Sequence, residues 1–325
     1  MSTTPTGIKR ALLIGINYLS NNQARLYGCI EDVKNVQAML IDAYGYSFRN
    51  IVVLRDDDSS KMPTKANILI ALQSIVSASG PNDEIWFHYS GHGTQIRDTT
   101  GDEPDGLDEV IVPVNYRTAG MIGDDDLYQL IRGIRCRAFL AFDSCHSGSV
   151  CDLQYSINYT KGTFAKSVSS QKWVSNPNIV MMSGCRDSQT SADSYDTDFR
   201  EYGGAFTISL MDSLRRNNHT VDLMKLYNDV CFELISAKYN QIPVLSSSSA
   251  TPTYTFARPL ITAGTSTSIS SASTTAVKGK SVSFAPNVED VSRPPVVATS
   301  VAPLSVAFSL NTNPRRTSNQ KMRFF

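Results

Sequence analysis

Two reactive side chains, His92 and Cys145, each follow an apolar run that ends in small residues. They lie in the segments Tyr89–Gly93 and Asp143–Gly148, and each segment has glycine close to its reactive residue. A cysteine becomes a nucleophile when a nearby base favours its thiolate, and histidine is the usual base near neutral pH. This pair predicts nucleophilic acyl transfer, with the backbone amides of Gly93 and Cys145 holding the developing oxyanion.

Other interpretations of these residues are weaker. A free cysteine is more often a packed core residue than a nucleophile. Two glycine-flanked strand ends in one chain favour the catalytic interpretation for Cys145. His146 is an alternative base, but neighbouring residues on a strand point to opposite sides, which favours His92.

A carboxylate is predicted beside the nucleophile. Residues two apart on a strand face the same way, so Asp143 shares a side with Cys145, and Ser90 with His92. A carboxylate in a pocket is costly unless a cation meets it, which predicts Arg or Lys at the substrate's first specificity position. The alternative is an Asp143 that only caps a loop amide.

A second group of residues is acidic and contains no Cys or His. Oxygen ligands suit calcium better than zinc, so calcium is the metal ion that such a group would bind. Its spacing does not fit an EF-hand loop, and composition alone favours solvated loop acids over a metal site. The residues are Asp102, Glu103, Asp105, Asp108, Glu109, Asp124, Asp125 and Asp126.

The elements that position these residues alternate between β-rich apolar runs and segments of helical period. This alternation predicts an α/β fold with a parallel sheet and three layers. The predicted strands are Arg10–Gly15, Asn50–Leu54, Glu84–Tyr89, Ala138–Asp143 and Ile179–Ser183. The predicted helices are Glu31–Tyr44, Thr64–Ser79, Asp124–Arg132, Ala205–Arg216 and Val221–Tyr239.

Composition limits the function classes. The 325 residues include 30 basic and 30 acidic side chains, so no overall field favours nucleic acid or an anionic membrane. No apolar run is long enough for a membrane span, and no secretion signal precedes the first strand. The six cysteines lack paired spacing, which predicts reduced thiols in a cytoplasmic protein.

Two segments are predicted to lie outside the packed core. Residues 261–325 are rich in Ser and Thr and lack a sustained period, which predicts a disordered tail. Residues 158–176 are predicted to form an exposed, cleavable loop that carries Lys161, Lys166 and Lys172.

The two motifs, at a spacing of about fifty residues between His92 and Cys145, resemble those of the type I metacaspases. The likeness spans roughly residues 8–258 and includes Ala11–Asn17, Leu26–Asp32, Gly101–Pro113 and Ser183–Asp193. It implies a caspase-like three-layer sandwich, with a mostly parallel central sheet and helices on both faces. The peptidase domain is then 1–260, with a large-subunit-like part (8–157), the loop (158–176) and a small-subunit-like part (177–260).

The resemblance also implies residue roles. His92 and Cys145 form the catalytic dyad of a cysteine endopeptidase that cleaves after Arg or Lys. The acidic first pocket falls on Cys29, Asp32, Ser90 and Asp143. The ligands of an activating calcium ion fall on Asp108, Asp124, Asp125 and Asp152.

The resemblance leads to further expectations. Members of this family usually act as monomers on protein substrates, and self-cleavage in the exposed loop is expected. Many type I members carry a Pro-rich or zinc-finger prodomain, whereas about eight residues precede the first strand here. Two alternatives remain open: a caspase-fold scaffold that acts by protein association, and a peptidase with the Asn preference of legumain-like relatives.

Overall fold

A mixed sheet forms the centre of the protein in a computed structural model that describes residues 6–98, 106–145, 147–160, 162–168, 172–184, 193–196, 201–239 and 241–259. The strands in these residues are β1 (Lys9–Gly15), β2 (Ile51–Arg55), β3 (Glu84–Ser90), β4 (Gly93–Arg97), β5 (Leu107–Ile111), β6 (Ile122–Gly123), β7 (Arg137–Asp143), β8 (Tyr155–Thr160), β9 (Thr163–Val168), β10 (Ile179–Ser183), β11 (Asp193–Asp196), β12 (Glu201–Gly204), β13 (Val221–Asp222), β14 (Val244–Ser247) and β15 (Thr255–Phe256). The helices are α1 (Cys29–Asp42), α2 (Lys65–Ala78), α3 (Tyr116–Ala119), α4 (Asp124–Ile131), α5 (Ala205–Arg216) and α6 (Leu223–Ser236).

The five strands expected from the sequence lie side by side in the order β2, β1, β3, β7, β10, and all run parallel. Their bounds agree with the prediction to within one residue. Each is an apolar run because helices cover both faces of the sheet, and β3 and β10 are buried at every position. Antiparallel β14, β8 and β9 complete the sheet.

Helices cover the two faces of this sheet, as the sequence predicts. On one face, α1, α5 and α6 form one apolar cluster with Trp86 and Phe139 of the sheet. On the other face, α2 contacts β1 and α4, and each of these two helices has a buried apolar side. The three-layer, caspase-like α/β architecture is therefore confirmed.

Helix α1 lies very close to the carboxyl end of β1. A Cβ at Gly15 would lie 2.4 Å from the carbonyl oxygen of Cys29, so only glycine permits this approach. The contact brings the first turn of α1, which carries Asp32, over the edge where the parallel strands end.

Two parts of the fold were not expected. A separate antiparallel sheet of β4, β5 and β6 follows His92 directly. The predicted loop 158–176 is wrong in its first part, because β8 and β9 form a hairpin there. All six residues of β9 are exposed, as predicted, whereas Tyr159, Val174 and Asn176 of the same segment are buried.

Some predictions concern residues outside the described ranges, namely the tail 261–325, Lys161, His146 and the acids at 102, 103 and 105. Within the described residues, no helix has the length and apolar character needed to cross a bilayer.

Candidate active site

The pairing of β3 with β7 brings the two reactive segments together. Ser90 is the last residue of β3 and lies opposite Asp143, the last residue of β7. His92 and Cys145 each follow two residues later. Both therefore leave the sheet at the same edge, where the sites of open α/β proteins form.

The backbones of the two segments touch at Gly93. A Cβ on Gly93 would lie 2.1 Å from the carbonyl oxygen of Cys145 and 3.2 Å from the Cβ of Ser144. Only glycine fits here. The contact places the residue after His92 directly against Cys145, which is partly exposed.

The His92 ring is held by residues that the sequence did not single out. Its Nε2 lies 2.8 Å from the carbonyl oxygen of Ala24, which requires Nε2 to carry a proton when the ring is neutral. Nδ1 is then the nitrogen able to accept a proton. The Tyr18 ring lies 4.6 Å from the His92 ring, and the backbone N–H of His92 donates to the Tyr18 hydroxyl at 2.9 Å.

Tyr18 connects this histidine to the small sheet. Its hydroxyl donates to the carbonyl oxygen of Val112 at 2.7 Å, while the Tyr89 hydroxyl donates to the carbonyl oxygen of His92 at 2.7 Å. Burial raises the pKa of Tyr18 well above its usual value, so the hydroxyl stays protonated. These two tyrosines fix the backbone of His92 rather than take part in proton transfer.

Two other described cysteines have no nucleophilic character. Burial raises the pKa of Cys136 to about 12. Burial and the nearby Asp152 raise the pKa of Cys151 well above its usual value. Both thiols stay protonated near neutral pH, whereas Cys145 has access to solvent.

The predicted acidic pocket residues also meet at this edge. Asp32 is 2% exposed and accepts from the Ser90 hydroxyl at 2.5 Å and from the Gly204 amide at 3.0 Å. Asp143 is 5% exposed and accepts from the amide and hydroxyl of Thr207, at 2.8 and 2.7 Å.

Gly204 separates the two carboxylates. A Cβ at Gly204 would lie 2.0 Å from Asp143 Oδ2, while its amide donates to Asp32. Gly204 is also the N-cap of α5, so both acids lie at the N-terminus of this helix, whose dipole favours negative charge. Asp143 does cap an amide, as the alternative interpretation proposed, and it also lies two residues before Cys145. Cys29 is buried one turn before Asp32 on α1.

The predicted calcium ligands lie near one another around α4. Asp108 is on β5, and Asp124 and Asp125 begin α4. Asp152 follows Cys145 by seven residues in the sequence and has a positive φ of 48°. Burial, then Asp152, and more weakly Asp108, raise the pKa of Asp124 to about 7. Asp124 is 2% exposed, and its Oδ2 accepts no hydrogen bond from the described residues.

A lysine ammonium lies among these carboxylates. Lys172 Nζ is 2.7 Å from Asp152 Oδ2 and 2.8 Å from Asp125 Oδ1. Within the described residues, no three acidic, histidine or cysteine side chains are already arranged to hold a metal ion. The donor set consists of oxygens, which suit calcium, but two of its four carboxylates, Asp125 and Asp152, contact the Lys172 ammonium.

A glutamate links this cluster to the loop after Cys145. Glu109, next to Asp108, accepts from the Ser149 hydroxyl at 2.7 Å and from the Gln95 amide at 2.9 Å. Strand β5 and the loop that carries Asp152 are therefore connected directly.

The fold, with histidine and cysteine at one sheet edge beside buried acids, defines the class of caspase-like peptidases.

Comparison with known proteins gives the family. The family model "Metacaspase, peptidase C14 domain" matches residues 9–154, which contain both His92 and Cys145. Metacaspase-1A of Aspergillus niger is 38% identical over 75% of this chain and 71% of its own length. Metacaspase-1 of Ajellomyces capsulatus is 37% identical over 75% of this chain and 80% of its own length. The chain belongs to the metacaspases, a family of caspase-fold cysteine peptidases.

A longer relative and a solved structure also match the chain. Metacaspase-1A of Neurospora crassa is 38% identical over 75% of this chain, which spans 63% of that protein's length. The crystal structure of protein GSU0716 from Geobacter sulfurreducens has a TM-score of 0.51, with 23% identity over 78% of this chain and 95% of that one. The likeness to this solved structure shows the fold alone.

Several residues of the site carried no sequence signal. Tyr18 has a positive φ of 52°, which nothing in its neighbourhood in the sequence announces. Thr207 is one of many threonines, and Lys172 was expected only as part of an exposed loop. The contacts of all three join segments far apart in the chain.

Replacing Tyr18 by Phe tests how His92 is held. The variant leaves the His92 amide without its acceptor, which lowers the free energy of unfolding by about 1–3 kcal/mol. Displacement of the ring lowers kcat by about tenfold or more, since small errors of position are costly in catalysis. Peptidase kinetics and urea unfolding measure the two effects. Tyr27→Phe, the same change on an exposed ring, is the control; equal kcat values for the two variants would contradict this role of Tyr18.

Proposed function

We propose that the protein is a cysteine endopeptidase that cleaves peptide bonds after Arg or Lys. The observation that carries the proposal is the juxtaposition, at one sheet edge, of the His92 and Cys145 segments with two buried carboxylates, Asp32 and Asp143. An acidic pocket beside a cysteine nucleophile favours a substrate with a basic side chain next to the scissile bond.

The mechanism depends on the position of the groups. His92 Nδ1 accepts the thiol proton, because Nε2 is bonded to the Ala24 carbonyl. The Cys145 thiolate attacks the carbonyl carbon and forms a thioester, while His92 gives the proton to the leaving amine. Water, deprotonated by the same histidine, then hydrolyses the thioester. The amides of Gly93 and Cys145 are the proposed donors to the oxyanion.

Two experiments on one peptide pair test this function. Cys145→Ala lowers hydrolysis of an Arg peptide by at least about a thousandfold, because it removes the nucleophile. Replacing the substrate's Arg by citrulline, a neutral side chain of the same shape, lowers kcat/KM by at least about a hundredfold in the wild type.

Cys136→Ala, which removes a buried thiol, is the matched control and keeps its activity. Equal cleavage of Arg and citrulline peptides would contradict the acidic pocket, and cleavage after Asn would support the legumain-like preference. Absence of all peptide cleavage would favour a scaffold that acts by protein association.

We also propose that calcium binds Asp108, Asp124, Asp125 and Asp152 and stimulates cleavage. An all-oxygen donor set and the buried, unsatisfied Oδ2 of Asp124 support this site. Burial, and after it the negative charge of Asp152, raise the pKa of Asp124, and a divalent cation would favour its ionised form. Asp152 follows the nucleophile by seven residues in the sequence, so an ion held there would order the loop beside Cys145.

Asp124→Asn separates the metal role of this acid from its structural role. The variant loses a charged ligand, so its calcium affinity falls by about tenfold or more. The folded-state pKa of Asp124 is raised to about 7, so its ionisation costs stability as the pH rises through that value. At about pH 8 without calcium, the neutral Asn variant therefore melts at a higher temperature than the wild type.

Calorimetric titration and thermal melts measure these two changes. Asp126→Asn, which removes the neighbouring acid bound to Lys65, is the control. Unchanged calcium affinity in Asp124→Asn would remove this residue from the metal site.

Self-cleavage in segment 158–176 is proposed as a maturation step. Lys166 lies in the exposed β9, and its Nζ donates to the Ala250 carbonyl at 3.0 Å. Lys172 follows β9 and is bound by carboxylates. A peptidase that cleaves after Arg or Lys could therefore cut this segment after either lysine.

A further inference from the structure

We propose that Thr207, supported by His88, is a positioning residue that orients the Asp143 carboxylate toward the substrate's basic side chain. This inference rests on the proposed function, because it assumes that Asp143 lines the specificity pocket. It concerns two residues that belong neither to the two sequence motifs nor to the His92–Cys145 dyad.

Thr207 makes two hydrogen bonds to one oxygen of Asp143. Its amide donates to Oδ2 at 2.8 Å and its hydroxyl donates to the same atom at 2.7 Å. Two donors from one residue on one oxygen fix the plane of the carboxylate. Its orientation beside the nucleophile is therefore set by Thr207.

His88 sets the direction of the hydroxyl. It is fully buried on β3, two residues before Ser90, and its Nε2 lies 3.2 Å from Thr207 Oγ1. Burial lowers the pKa of His88 to about 3, so the ring is neutral. Because the Thr207 hydroxyl gives its proton to Asp143, its oxygen must accept from Nε2–H. The result is a fixed chain of donors from His88 through Thr207 to Asp143.

The hydroxyl is not needed to cap α5. Gly204, the N-cap, has no side chain, and Asp143 takes the capping position by accepting from the Thr207 amide. That bond provides a partner for one of the free amides at the helix start. The second bond, from the hydroxyl, adds orientation to a carboxylate that already caps the helix.

The test compares Thr207→Val with Thr207→Ser on the Arg and citrulline peptides. Val keeps the shape and the amide bond but lacks the hydroxyl, whereas Ser keeps both donors. The Val variant raises KM for the Arg peptide by about tenfold, as expected for one charge-assisted hydrogen bond, with kcat changed less than about twofold. Its Arg-to-citrulline preference falls by the same factor, and the Ser variant matches the wild type.

The outcomes separate the possible failures. If Val lowers cleavage of both peptides equally, Thr207 has only a structural role and the inference is wrong. If the wild type does not distinguish Arg from citrulline, the acidic pocket itself fails. Thermal melts check folding, and Thr207→Ala provides a second variant without the hydroxyl. His88→Leu, which removes the donor behind Thr207, shifts the preference in the same direction.

A different observation carries a second inference. We infer that Lys172 is a tethered cation that competes with calcium for the acidic cluster. This inference rests on the proposed calcium site. Lys172 Nζ bridges Asp125, at the start of α4, and Asp152, in the loop after Cys145.

The ammonium and a metal ion would share the same two carboxylates. Lys172 Nζ contacts one oxygen of each, at 2.7 and 2.8 Å, so a calcium ion bound there would lie close to the ammonium and be repelled by its positive charge. Within the described residues, no group of acids is arranged to hold a metal ion, and two of the four proposed ligands contact Lys172 instead. Ion binding and the lysine contact therefore oppose each other, and the lysine lowers the apparent calcium affinity.

The exchange has a consequence for the segment that carries Lys172. The next residue, Trp173, is 68% exposed, and its carbonyl accepts from the Tyr128 hydroxyl at 3.1 Å. When calcium takes the carboxylates, the lysine side chain is released into solvent, where a protease can recognise it. The same ion would thus expose a basic residue in the segment proposed for self-cleavage.

Calcium titration of Lys172→Met by calorimetry tests the competition, in a Cys145→Ala background that prevents self-cleavage. The variant binds calcium about tenfold more tightly than its parent, because no ammonium must be displaced. Lys166→Met, which removes a lysine bound to a backbone carbonyl in the same segment, leaves the affinity unchanged. Limited trypsin digestion of the parent adds a second measurement, with cleavage after Lys172 faster in calcium than in chelator.

Each result has a distinct meaning. Equal calcium affinity in parent and Lys172→Met overturns the competition and leaves the calcium site standing. Absence of calcium binding in both proteins overturns the calcium site, and the competition with it. Equal rates of trypsin cleavage after Lys172 in calcium and in chelator overturn the proposed release of the lysine.

Discussion

Backbone hydrogen bonds hold β3 and β7 in parallel register from Glu84, opposite Arg137, to Ser90, opposite Asp143. The histidine and cysteine segments belong to different parts of the chain, and this register is what makes them neighbours. A shift by one residue would turn every side chain of one strand to the other face. The apolar residues of both strands are buried on both sides, so such a shift is strongly opposed. The core thus determines the geometry of the site.

The second constraint is electrostatic. Two carboxylates that are nearly inaccessible to water share the N-terminus of α5, where amides of the helix start donate to them. Backbone dipoles of this kind are fixed in place and need no reorganisation when a ligand arrives. Helix α5 is itself packed in the main apolar cluster. The position of these two negative charges therefore depends on a helix that is packed in the core.

The sequence predicted the parallel strands and the major helices well, because each is a long run with a clear period. It also placed His92, Cys145, Ser90 and Asp143 near one another, since strand ends and alternation are local properties, whereas Asp32 came only from the family resemblance. The β4–β5–β6 sheet was missed because its strands are short and partly polar. The β8–β9 hairpin was missed because β9 has no buried residue to produce an apolar pattern. Tyr18, Thr207 and Lys172 act through contacts between distant segments, which spacing does not encode.

Asp143 and Cys145 are two residues apart on one continuous segment, and Gly93 leaves no room for the backbone near Cys145 to shift. The distance between Asp143, the proposed recognition group, and Cys145, the proposed nucleophile, is consequently set by a fixed length of chain. A new side-chain preference would have to arise by exchanging residues at these positions, because moving the pocket would also move the sulfur. Divergent members of such a lineage should differ in the side chains at these positions far more than in the distance between the positions and the sulfur.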